Sequence, residues 1–74
     1  MSRLPRVTGS DLLAALNKAG FAVLRIKGSH HFLCHKDGRS TVVPVHSGET
    51  IGPGLLHKIL RDCQIKVEEL QSLL

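Results

Sequence analysis

Tryptophan and tyrosine are missing from this 74-residue chain, and Phe21 and Phe32 are its only aromatic residues. That argues against a single-strand binder of the kind that stacks successive bases on several exposed rings. Cysteine is scarce as well. Cys34 and Cys63 are too few and too far apart for a disulfide framework, so both read as reduced thiols. No apolar run approaches the roughly 20 residues of a membrane helix, and no apolar stretch of the export type follows the charged N-terminus. The expectation is a cytoplasmic protein with no membrane partner. Carboxylates are outnumbered, with six Asp and Glu against ten Lys and Arg and a formal net charge of +4. Such a balance favours a phosphate-bearing or acidic partner. A chain this short buries only about 60% of the surface that its unfolded form exposes, so the core is thin and no cofactor cavity is expected.

Against these absences stand clear local signals. Residues 1–7, with Arg3, Pro5 and Arg6, read as a loose basic lead-in to one domain spanning 1–74. Thr8 and Asp11 form a capping box for a helix whose apolar members are Leu12, Leu13, Ala15, Leu16 and Ala19, with Gly20 as its stop. The period then changes. Phe21 to Lys27 alternates as a strand with Phe21, Val23 and Arg25 on one face. The Gly28-Ser29 turn leads to a second strand from His30 to Lys36, and Asp37-Gly38 turns the chain into a third, Ser40 to Val45. Pro44 near its end lacks a ladder donor, which places it at an edge or an irregularity. Residues 47–53 read as a loop, Pro53 opens a second helix with an apolar stripe of Leu55, Leu56, Ile59 and Leu60, and a short helix from Val67 to Leu74 closes the chain. The predicted fold is α+β, a two-layer α-β-β-β-α sandwich with a three-stranded antiparallel sheet and helices on one face.

Within that frame Gly28-Ser29-His30-His31 is the most informative run. Imidazole exchanges protons near neutral pH, and here two stand at the mouth of a strand beside a turn that a substrate backbone can approach. Strand alternation groups His30 with Phe32 and Cys34, and His31 with Leu33 and His35. Taking Phe32 and Cys34 as the core-facing pair turns His30 towards the helices and leaves His31 exposed on the open face. A zinc site would recruit His30, His31, Cys34, His35 and Cys63, but the same alternation separates His30 with Cys34 from His31 with His35, so these pairs do not readily close one tetrahedral site and no metal is expected.

The ordered set Thr8-Gly9-Ser10-Asp11, Ala19-Gly20-Phe21, Gly28-Ser29-His30-His31-Phe32 and Val43-Pro44-Val45-His46 resembles the HicA family of toxins over nearly the whole chain, from about Val7 to Leu74. The resemblance implies a double-stranded-RNA-binding-like fold, an endoribonuclease activity on mRNA, and a cognate HicB antitoxin that holds the toxin inactive. It also implies that the functional histidine, in the motif Gly-Ser-X-His, is His31, with His30 at the variable position.

The chemistry follows from imidazole itself. His31 as general base would take the proton of an RNA 2′-hydroxyl, which attacks the neighbouring phosphorus and leaves a 2′,3′-cyclic phosphate. Lys27, the Gly28-Ser29 backbone and the Ser29 hydroxyl are candidate donors to the charge that develops. The general acid stays open between water, His46 and Lys27. Single-stranded RNA would run along Arg25, Lys27, Lys36 and Arg39, with Gly28 allowing close approach. Two other readings compete: a non-catalytic double-stranded-RNA-binding module, and a docking domain for an acidic protein.

Overall fold

A computed structural model describes residues 3–74. Six elements follow in chain order: α1 (Gly9–Lys18), β1 (Phe21–Lys27), β2 (His30–His35), β3 (Ser40–Pro44), α2 (Pro53–Cys63) and α3 (Val67–Leu73). The strands form one antiparallel sheet in the order β1-β2-β3, so Pro44 lies on an edge strand, where its missing N–H costs no ladder bond. Among the described residues no helix is long and apolar enough to cross a membrane.

Local chemistry sets the element boundaries. Thr8 Oγ1 accepts from the Asp11 N–H at 3.1 Å while Asp11 Oδ2 accepts from the Thr8 N–H at 3.1 Å, the reciprocal box read from the sequence. Pro53 stands in the first turn of α2, where no intrahelical donor is required. The buried stripes of the helices, Leu12, Ala15 and Leu16 from α1, Leu56, Ile59, Leu60 and Cys63 from α2 and Leu70 from α3, meet Phe21, Leu33 and Val43 of the sheet in one core. Among the described residues Thr41 is the one buried polar side chain, and it donates to Asp62 Oδ2 at 3.0 Å and so ties β3 to α2.

The lead-in is not loose over residues 3–7. Val7 is buried, its carbonyl accepts from the Ile51 N–H at 2.8 Å, and Gln71 donates to the Arg3 carbonyl at 2.7 Å. Val7 and Leu4 are apolar enough to join a core that three short helices leave incomplete. Met1 and Ser2 lie outside the described residues.

The larger corrections concern which face each strand residue takes. Leu33, not Phe32 or Cys34, enters the core, so His31 and His35 share the helix-facing side and His30, Phe32 and Cys34 lie on the open one. Either set could have been buried on hydrophobicity alone. The partner strands decide it, because Phe21 pairs with His35 and Val43 pairs with His31, and both apolar partners are buried. Strand β1 departs from simple alternation too. Its pairing shifts between Val23 and Arg25, where Leu24 bulges and is 72% exposed. The extra residue carries Arg25 onto the open face opposite Phe32 and brings Ile26 to the helix side opposite His31.

The two thiols differ in environment. Cys34 is half-buried on the open face, whereas Cys63 is fully buried, and burial first, then the Asp62 carboxylate, push its thiol up to about 11 against an opposing pull from Arg39. Because the thiolate is the nucleophile, a maleimide should take one equivalent rapidly on the folded protein, at Cys34, and a second only in denaturant. Two rapid equivalents counted by mass spectrometry would show that α2 does not hold Cys63 closed.

Candidate functional site

Gly28 and Ser29 form the two-residue loop between β1 and β2, and Gly28 takes φ 60°. A glycine at that position matches the primed hairpin turn whose twist fits the strands, so the glycine is required by backbone conformation. No atom lies within 4 Å of where its Cβ would stand. The open side of the turn is therefore free for a substrate to approach.

The Ser29 carbonyl has two ties. It accepts the Val45 N–H at 2.7 Å, extending the β2–β3 pairing past Pro44, and it lies 3.3 Å from His31 Nδ1. A carbonyl can only accept, so Nδ1 is the donor in this contact, and in the neutral ring that tautomer leaves the lone pair on Nε2. His31 is thus an oriented imidazole with its basic nitrogen pointing away from the backbone that holds it. Its ring is half-buried between Ile26, 58% exposed, and Val43, which is buried.

The support for this loop comes from α1. A Cβ on Gly9 would stand 2.5 Å from the Pro44 carbonyl oxygen and 2.9 Å from Val45 Cα, so the start of the helix lies against the backbone that carries the Ser29–Val45 bond. Residue 9 must be glycine for the two segments to approach that closely.

The remaining sequence candidates separate into three groups. Lys27 and His30 are cross-strand partners flanking the turn, both exposed and both on the open face, back to back with His31. Arg25 is exposed further along the same face, with its guanidinium carbon 4.6 Å from the Phe32 ring centre. Lys36 and Arg39 sit at the other end of β2, about 16 Å from His31 at the usual strand rise. Arg39 is already engaged. Its Nε donates to both Asp37 oxygens, at 3.1 and 2.9 Å, its Nη1 donates to the Cys63 carbonyl, and it lies over Phe21. The phosphate contact read for Arg39 is therefore replaced by a structural role. The Arg39 backbone N–H, and then its guanidinium, hold the Asp37 carboxyl below its ordinary range.

His35 and His46 stand apart from the site. His35 packs edge-on against Phe21 with ring centres 5.2 Å apart and accepts the Asp37 N–H at Nδ1. His46 is exposed and lines an open cleft with Glu49, Thr50 and Leu55. Among the described residues no three His, Cys, Asp or Glu side chains converge as metal ligands, and the five zinc candidates divide between two faces and α2. Sequence reasoning missed the Ser29 carbonyl as the group that orients His31. A backbone acceptor leaves no mark in residue type.

No individual curated protein matches the chain. The family model described as the HicA toxin of bacterial toxin–antitoxin systems matches residues 9–65, from the glycine that seats α1 to the residue beyond the α2 cap, and the chain therefore belongs to the HicA toxin family.

Proposed function

We propose that this toxin is a small endoribonuclease that cleaves single-stranded mRNA with His31 as general base. The observation that carries the reading is the bond between His31 Nδ1 and the Ser29 carbonyl, which in the neutral ring puts the accepting lone pair on Nε2, next to the open Gly28-Ser29 turn. Nε2 accepts the proton of a 2′-hydroxyl, and the freed oxygen attacks the adjoining phosphorus. The bond to the 5′-oxygen then breaks, and that oxygen takes a proton from water. The products are a 2′,3′-cyclic phosphate and a 5′-hydroxyl. Charge that gathers on the phosphorane is met by the Ser29 hydroxyl and the backbone N–H groups of Gly28 and Ser29, with Lys27 supplying longer-range positive potential. His30, on the opposite face, takes no part in this proton transfer.

Inhibition fits a HicB-like partner that covers His31. Val23, Leu24 and Ile26 are 43, 72 and 58% exposed along the edge strand β1, and Ile26 is the cross-strand neighbour of His31. An apolar patch on an unpaired edge is a protein-binding surface more than an RNA-binding one. A partner seated there excludes RNA from the imidazole without unfolding the toxin. A non-catalytic duplex-binding module has less support, because α2 opens with Pro53-Gly54-Leu55-Leu56 and offers no cation to a phosphate in its first turn.

The scheme uses no metal, so incubation of the purified toxin with a single-stranded RNA should give cleavage at the same rate in excess chelator. Loss of activity in chelator, with return on adding a divalent ion, would take the nucleophile-activating role away from His31.

A further inference from the structure

The open face of the sheet holds an arrangement that the proton-transfer chemistry does not use. Its cross-strand rows are Ala22–Cys34–Ser40, Arg25–Phe32–Val42 and Lys27–His30–Pro44. All three helices pack on the other side, in the core built on Phe21, Leu33 and Val43. None of the chain's six Asp and Glu residues lies in a strand, whereas Arg25, Lys27 and His30 are all exposed here. At the centre of the face the Arg25 guanidinium lies over the half-buried Phe32 ring at 4.6 Å. The contact exists because of the Leu24 bulge. Without the extra residue Arg25 would point to the helix side.

We infer that Arg25, seated over the Phe32 ring, is a stacking platform for one unpaired RNA base, and that Lys27 and His30 guide the backbone from it around the Gly28-Ser29 turn to His31. The inference rests on the ribonuclease reading and adds to it how the strand is held. A guanidinium supported on one side by a ring presents its other side as a cationic plane, which nucleobases stack on without regard to sequence. Its N–H edges remain free for a phosphate. The scarcity of aromatic residues excludes a platform of several rings and does not exclude this one. Base-paired RNA keeps its bases stacked within the helix, so the platform selects single strands. An acidic protein would match the charge equally well but has no use for a stacked plane.

Two non-cleavable 2′-O-methyl strands of equal length, one with bases and one abasic, separate these terms. Wild type should bind the base-bearing strand about 5- to 150-fold more tightly, the range for loss of one stacked base. Arg25→Lys keeps the charge and loses the plane, so it should erase that preference while leaving the salt dependence unchanged. Lys27→Ala should keep the preference and lower the logarithmic salt slope by about 0.7. Phe32→Leu, checked for an unchanged denaturant midpoint, should act like Arg25→Lys. Equal affinity of wild type for the two strands, or a preference that survives in Arg25→Lys, overturns the platform while cleavage of ordinary RNA still upholds the nuclease. Absence of both binding and cleavage in wild type overturns the two together.

Discussion

Replacing His31 by asparagine should lower RNA cleavage by about 10²-fold or more while leaving the fold in place. The asparagine amide nitrogen occupies nearly the position of Nδ1, so it can keep the bond to the Ser29 carbonyl and preserve the half-buried packing beside Val43. What it removes is Nε2, the atom assigned to accept the proton, and loss of a positioned general base costs about 10²–10⁴ in rate. Single-turnover cleavage of a short RNA, read beside a urea denaturation curve, tests both halves of the statement. Alanine is the less informative choice, because it deletes the packing and the hydrogen bond together. His30→Ala, on the exposed face, should leave the denaturant midpoint and the rate of the chemical step close to wild type. Cleavage by His31→Asn within threefold of wild type would remove His31 from catalysis, and inactivity of His30→Ala would transfer the role across the sheet.

The second large effect is on stability. Phe21→Ala should cost about 3–5 kcal/mol, the range for deleting a fully buried aromatic ring. A chain of this length has only about 4–11 kcal/mol of folding free energy in all. Phe21 is 1% exposed, touches His35 edge-on and lies under Arg39, whose other bonds reach Asp37 and the end of α2. Its loss therefore opens a cavity and loosens the contact between the β2–β3 turn and α2. The same truncation at Phe32 should cost about 1 kcal/mol, since that ring leaves solvent only in part and supports a single cation. Urea midpoints for the two variants check the contrast. Equal losses would mean that the open face is covered in solution.

Much of the fold was legible because its signals are local. A capping box needs only Thr8 and Asp11, a helix stop only the residues after Ala19, and the β1–β2 turn only Gly28 and Ser29. The motif that carries His31 is equally local. The contributions of Arg25, Lys36 and Arg39 were harder to separate, since positive charge along a sequence does not say which cations already have partners. Arg39 finds Asp37, Cys63 and Phe21 only once α2 returns to the sheet.

The order of elements and the antiparallel sheet with helices on one side were legible in the chain's own local pattern, because caps, turns and apolar period are properties of neighbouring residues. Tertiary structure decided which face each histidine takes. A strand has period two, and β2 carries an apolar residue in either phase, Phe32 and Cys34 in one and Leu33 in the other, so its own pattern is degenerate. Pairing with Phe21 on one side and Val43 on the other breaks the tie, and the bulge at Leu24 then moves Arg25 and Ile26 to faces that alternation alone assigns the other way. Cross-strand packing is a property of residues distant in the chain, which is why His31 proves to be held on the helix side and Arg25 and Phe32 meet on the open one.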